Sequence, residues 1–301
     1  MKSDEHVRYD RSQQEWDRIV SDPDRQRTGQ SWFRDDTLDY WRHARMRAPL
    51  KAIVDHDRAA TWLTIGDGRY GTDGHYLATL GAASVHCTDI SDTLLKIGKE
   101  TGFIQSYSAE NAESLSFPDN AFDYVYCKES FHHFPRPFLA LGEMFRVARK
   151  AVILTEPRDR VIDRAPLSFV YRTLKWLLGK DREQHHFEPV GNYIYALSER
   201  EVEKFQLGMH FTRVAFIGCN DAYVPGVEFS PLASARPADR KLRSKIKFKI
   251  TTLDMLTKLG LSTTTMLTAA LFKQEPAAGL ERALGDHGWR VKHLPKNPHL
   301  R

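Results

Sequence analysis

A chain of 301 residues with a 41% hydrophobic fraction can bury a substantial core, so disorder is excluded. Its net charge of +5 is mild and accompanies no recognition motif, which argues against a nucleic-acid partner but permits an anionic substrate or membrane surface. Cys87, Cys127 and Cys219 are scattered, fitting neither a disulfide framework nor zinc spacing. The apolar runs are too short to span a bilayer and the N-terminus lacks a signal-peptide core, so a cytoplasmic, metal-free protein is expected.

Residues 1–56 read as an N-terminal helical arm. The first part is polar, with Trp16, Trp32 and Phe33 among charges of both signs, and suits either a loosely packed arm or a lid over a ligand. From Thr37 to His56, apolar spacing suggests two short helices, with Pro49 opening the second. The stretch from Thr61 to Gly71 organises the rest of the chain. Trp62, Leu63 and Ile65 read as a buried strand, Gly66, Gly68 and Gly71 as a tight turn, and Tyr76, Leu77 and Leu80 as the helix after it. A strand, glycine turn and helix in this order begins a nucleotide-binding half-sheet, because a Cβ in the turn would block close approach of a ligand.

A second strand is expected to end at Asp89, about twenty residues past the glycines, where a carboxylate can accept both hydroxyls of a ribose. The alternative role for Asp89 is a helix N-cap, for which Ser91 or Asp92 serves equally well. A third strand is expected near Phe103 to Tyr107, a fourth over Tyr124 to Cys127 and a fifth over Ala151 to Thr155. Beyond the fourth lies a cluster from Lys128 to Phe134 that includes His132 and His133. Ligands in open α/β sheets bind at such strand ends. The helix with Phe138, Leu141, Met144, Phe145 and Val147 on one stripe is core.

Residues 158–197 interrupt the alternation with an amphipathic piece and a polar run, His185 to Tyr195. Ser198 to Glu201 matches a capping box, Phe211 to Gly218 a strand, and Met266 to Phe272 a last strand. Between them, 237–259 reads as a helix with Leu242, Ile246, Ile250, Leu253, Leu256 and Leu259 inward and a basic face from Arg240 to Lys249. The tail, 276–301, is expected to be flexible, with Trp289 as a docking candidate.

Four pieces in this order carry a resemblance: Ile65-Gly-Asp-Gly, Thr88-Asp-Ile-Ser91, the run from Ala112 to Asp123 through Ser-Phe-Pro-Asp-Asn, and Phe131-His-His-Phe134. Together they resemble the class I S-adenosylmethionine-dependent methyltransferases, near the small-molecule group that includes the ubiquinone-pathway enzymes. The resemblance implies a Rossmann-like α/β fold over residues 57–275, with a seven-stranded sheet, its last strand antiparallel, and helices on both faces. It places the substrate-binding insertion at 158–197. It implies that Gly66, Asp67 and Gly68 approach the methionine part of the cofactor, that Asp89 with Ile90 takes the ribose, that Asn111, Ala112 and Glu113 hold the adenine edge, and that Lys128 opens onto the cofactor. Two departures stand out. Thr64 replaces the usual acid before the first glycine, with Asp67 as a candidate substitute for the methionine ammonium, and Tyr70 replaces a third glycine.

The expected reaction is methyl transfer to a hydroxyl of a small molecule or glycan, with His133, or failing it His132, as general base. Glu188, Asn192, Tyr193 and Tyr195 are expected to line the acceptor pocket. His185, His186 and Glu188 form a polar cluster, but adjacent histidines are poor chelate partners and no metal is expected. The basic helix suits a solvated face, an anionic membrane surface in weak peripheral contact, or nucleic acid, in that order. Two rival readings stay open. One is an NAD-dependent oxidoreductase, whose fingerprint Gly66-x-Gly68-x-x-Gly71 satisfies literally; the other is a catalytically silent relative that acts through partners.

Overall fold

The computed structural model describes residues 9–299 except 12, 15, 16, 19, 20, 161, 164–169, 171, 172, 175, 176, 178–186 and 188–191. The elements described begin with α1 (Pro23–Ser31), α2 (Leu38–Arg47) and α3 (Lys51–His56). Asp22 caps α1 and Thr37 caps α2, each side chain accepting backbone N–H groups of the first turn. Then β1 (Thr61–Ile65), α4 (Thr72–Thr79), β2 (Ser84–Asp89), α5 (Thr93–Glu100) and β3 (Ser106–Ala109) alternate as expected. They are followed by β4 (Phe122–Lys128), α6 (Pro137–Val147) and β5 (Ala148–Pro157). After the insertion come α7 (Glu199–Gly208), β6 (Arg213–Cys219), α8 (Pro237–Lys258), β7 (Met266–Phe272), α9 (Ala278–Asp286) and β8 (Arg290–His293). The capping box at α7 is present, with Ser198 and Glu201 bonding each other's backbone N–H.

The strands form one mixed sheet in the order β3-β2-β1-β4-β5-β7-β6-β8. The first five are parallel; β7 runs antiparallel to both β5 and β6. Period-two alternation divides the core. Leu63, Ile65, Val125, Val152 and Leu154 face α6 and α7, while Trp62, Tyr124, Tyr126 and Ile153 face α3, α4 and α9. Burial on both faces explains why these strands read as nearly continuous apolar runs.

Three expectations need correction. The sheet has eight strands rather than seven, because β8 adds antiparallel to β6. Residues 278–293 are built into the domain rather than forming a flexible tail. Leu280 and Leu284 of α9 pack with Leu50 and Ile53, Trp289 is buried, and its Nε1 donates to Pro49 O at 3.3 Å. Pro, Gly and His residues made that tail look loose, although Leu280 and Leu284 keep the i, i+4 spacing of a buried helix face. The third strand also begins later than expected, after Gly102 in the left-handed region ends α5.

Candidate functional site

The chain leaves β3 and returns on the other side of β1, so the order reverses between β1 and β4. Crevices beyond the strand tips at such a reversal are where ligands bind. A cavity of about 480 Å³ opens here. Its floor contains Gly66, Asp67, Asp89 and Ile90. Its walls include Asn111, Ala112, Glu113, Lys128, Glu129, His133 and Phe134, together with Tyr9 and Arg25 from the arm.

The glycines are required by contact as well as conformation. Gly66 has φ +71, and a Cβ there would lie 2.4 Å from Ser130 Cβ. At Gly68 a Cβ would lie 2.8 Å from an Asp89 carboxylate oxygen. Gly71 instead backs onto the core, where a Cβ would meet Ile104 at 2.6 Å. Tyr70 takes φ +60, a conformation costly for any residue with a side chain. Its ring is buried against Phe33, centroids 4.2 Å apart, and edge-on to Trp32. The arm's aromatics thus close on the residue that replaces a glycine, and their packing offsets its backbone strain.

Asp89 lies at one end of the floor. Its Oδ1 accepts Ser91 N at 3.1 Å, and backbone N–H groups of Gly68 and Ile90 also face the carboxylate. Burial raises its pKa to about 6 against the pull of those donors. Asp67 behaves differently from expectation. Its Oδ1 accepts Asp73 N at 3.0 Å, and its Oδ2 accepts Gly74 N and Thr64 Oγ1, both at 2.9 Å. The carboxylate therefore caps the start of α4 instead of offering itself to an ammonium. Burial and the neighbouring Asp73 charge push it up to about 7.

The far end carries an ion network that the motifs did not reveal. Arg47 Nε donates to Asp73 Oδ1 at 2.5 Å, and Lys128 Nζ lies 2.8 Å from Glu129 Oε2 and 3.8 Å from Asp73. His43 Nδ1 stands 3.1 Å from Glu129 Oε2, and Arg69 Nη1 3.2 Å from His43 Nε2. Burial is the largest single influence and would raise Asp73 and Glu129, but Lys128 together with Arg47 at Asp73 and His43 at Glu129 outweighs it, and both are held below the usual carboxylate range. Glu129 itself has φ +50. A strained, ionised carboxylate at a cavity wall is a signal the sequence pattern could not show, because it depends on α2 being laid beside β4.

Glu113, at the cavity wall, is already engaged by Arg136, whose backbone N and Nε donate to it at 2.8 and 2.6 Å; Tyr9 Oη donates to it as well. Asn111 Oδ1 accepts Glu113 N at 3.0 Å and so shapes the turn.

The histidines divide. Glu156, fully buried at the end of β5, accepts Ser130 N and Phe131 N on Oε1, both at 3.0 Å, and His132 Nδ1 on Oε2 at 2.5 Å. His132 is thereby buried beneath the turn, whereas His133 faces the cavity. Asn192, fully buried, donates to His133 O at 2.7 Å. Tyr195 does not line this cavity: its ring packs among Phe131 and Phe138, and its hydroxyl donates to Glu201. Tyr193 is half exposed against Phe187. Glu188, His185 and His186 lie outside the described residues, as does Trp16.

Comparison with known proteins agrees with this geometry. Residues 63–155 match the family model of a methyltransferase domain. The demethylmenaquinone methyltransferase of Anoxybacillus flavithermus is 36% identical over 98 residues, 30% of this chain and 41% of that protein. The ubiquinone/menaquinone biosynthesis C-methyltransferase of Paraburkholderia xenovorans is 31% identical over 118 residues, 36% of this chain and 46% of that one. The chain thus spans under half the length of these two relatives. Among solved structures, magnesium protoporphyrin IX methyltransferase from Synechocystis with bound S-adenosylhomocysteine aligns at 16% identity and TM-score 0.44, covering 62% of this chain and 79% of that one. Residues 63–155 thus match a methyltransferase domain, within a Rossmann-like α/β sheet, with distant similarity to methyltransferases of ubiquinone and menaquinone biosynthesis.

Proposed function

We propose that this chain binds S-adenosylmethionine in the 480 Å³ cavity and methylates a hydroxyl of a small molecule or glycan in the cytoplasm. One observation carries the reading: Asp89 is a buried carboxylate held by backbone N–H donors, and it faces a cavity whose glycine floor admits no Cβ. Such a carboxylate suits the vicinal hydroxyls of a ribose. When bound, the cofactor supplies a methyl group activated on a sulfonium.

In this reading Gly66, Gly68 and the Asp67 backbone bring the glycine turn against the cofactor's amino-acid part. The ammonium that Thr64 cannot hold falls to Glu129, and the carboxylate to the cationic side formed by Lys128, Arg47 and Arg69. Ile90, Asn111 and Ala112 wall the adenine. His133 removes the acceptor proton, while His132, held by Glu156, positions the turn that carries it. A carboxylate can only accept, so His132 Nδ1 bears the proton in that pair. Asn192 fixes the His133 backbone from the insertion side, and Tyr193 and Glu188 remain candidates for the acceptor's outer contacts.

The sheet weighs against the dehydrogenase alternative. A dinucleotide-binding sheet runs 3-2-1-4-5-6 in parallel, whereas here antiparallel β7 separates β5 from β6. The name of the Paraburkholderia relative favours carbon as acceptor atom, and this is the second reading. Calorimetry with S-adenosylhomocysteine and with NAD tests the cofactor: binding of the first alone is expected, and binding of NAD alone overturns the reading. With methyl-labelled cofactor and a panel of phenols and sugars, the carbon shift of the product separates oxygen from carbon acceptors. His133→Ala is expected to lower turnover by about a hundredfold with cofactor affinity unchanged; full turnover removes the base.

A further inference from the structure

The outer face of α8 is an exposed amphipathic surface of one charge sign. Ile246 and Ile250 turn inward and pack with Leu38 of α2 and Val227. On the opposite side Phe248 is 74% exposed, Met255 54% and Leu259, just past the helix end, 64%. At 3.6 residues per turn these three fall within about 40° of one another, forming a single stripe. The sequence pattern placed Leu259 among the inward residues, so the structure reverses it. Exposed Lys245 and Lys249 flank the stripe on one side, Arg240, Lys247 and Lys258 on the other, and Lys241 lies within it. The two acids of the helix are on its other half: Asp239 is buried and bonded to Ser234 and Arg236, and Asp254 accepts from Asn220. The outer arc of α8 therefore carries cations around an apolar centre, with no carboxylate between them.

We propose that this face docks the protein peripherally on an anionic lipid surface, with Phe248, Met255 and Leu259 entering the headgroup boundary and the lysines meeting lipid phosphates. A solvated helix face usually mixes charge signs and does not leave a phenylalanine three-quarters exposed at its centre. An interfacial helix has this layout: an apolar strip with basic flanks whose stems lie along it while their charges reach out. No helix among the described residues is long and apolar enough to cross a membrane, so contact through this face is peripheral. The inner face of α8 shares a hydrophobic cluster with Leu38 and Trp41 of α2, the helix that also supplies His43 and Arg47 to the ion network around Asp73 and Glu129. A docked α8 therefore sets the cavity one helix away from the lipid surface.

The test is flotation of the full chain with phosphatidylcholine vesicles, with and without phosphatidylglycerol, at low and high salt. Binding to the anionic vesicles at low salt, reduced at high salt, is expected. Phe248→Ser should lower it roughly tenfold, and Lys241→Gln, Lys245→Gln and Lys249→Gln together roughly a hundredfold. These side chains are exposed, so each variant should keep wild-type circular dichroism and S-adenosylhomocysteine binding. Absence of flotation at low salt overturns the proposal. So does a Phe248→Ser variant that floats like wild type, or displacement from vesicles by duplex DNA to which that variant binds undiminished, since either makes the face a purely electrostatic one.

Discussion

At one end of the cavity, Asp89 is buried among backbone donors and is driven up to about 6. At the other, Asp73 is as deeply enclosed and Glu129 partly so, yet Arg47, Lys128 and His43 hold them ionised. Two carboxylate environments within one crevice therefore have opposite electrostatics. The first holds an acceptor whose charge is poorly solvated, and so favours a ligand that brings hydroxyl donors. The second is an internally balanced cluster of both signs, suited to a zwitterion, whose ammonium and carboxylate can each find a counterpart without leaving a protein charge unpaired.

The largest effect should come from unbalancing the cluster. Arg47→Met leaves Asp73 buried without its closest cation, and a loss of about 3–5 kcal/mol of stability is expected in denaturant titration. A loss below about 1 kcal/mol would mean the two ends are not electrostatically distinct. Asp89→Asn should act in the opposite sense on the fold. Removing a strained charge should leave stability unchanged or raised by about 1 kcal/mol, while S-adenosylhomocysteine affinity falls at least tenfold in calorimetry. Equal losses of stability and affinity would make Asp89 a structural residue.

The smallest effect, and the sharpest comparison, is in pH. The raised values of Asp89 and Asp67 mean that their stabilising contribution is fully present below about pH 4 and is lost as pH rises through about 6 and about 7. Cofactor affinity should run the other way, because protonation of Asp89 removes the acceptor for ribose. From pH 7 to 5 it should weaken by about tenfold, with a midpoint near 6. In Asp89→Asn this dependence should vanish. A wild-type affinity that is flat between pH 5 and 7 would contradict the role assigned to Asp89.

Local interactions made much of this legible before any fold was known. The buried apolar run of β1, the glycine turn, the acid ending β2 and the capping box at Ser198 are each a property of a few neighbouring residues, and all appear in the structure. The side-chain roles were less legible. Asp67 stands in the right turn, but only the folded turn shows its carboxylate aimed at the N–H groups of Asp73 and Gly74. Tyr195 reads as a pocket residue until Phe131 and Phe138 are brought around it.

By itself, then, the amino-acid sequence determined the alternating α/β order and the place of the crevice, because periodicity, capping and glycine conformations act over a few residues. Tertiary structure alone decided which polar groups meet there: Arg47 with Asp73, His43 with Glu129, and His132 with Glu156 are 26, 86 and 24 positions apart in the chain. It also decided the eighth strand and the outward turn of Phe248 and Leu259. Burial and charge pairing over such separations depend on how whole elements are stacked, and no short window of sequence contains that information.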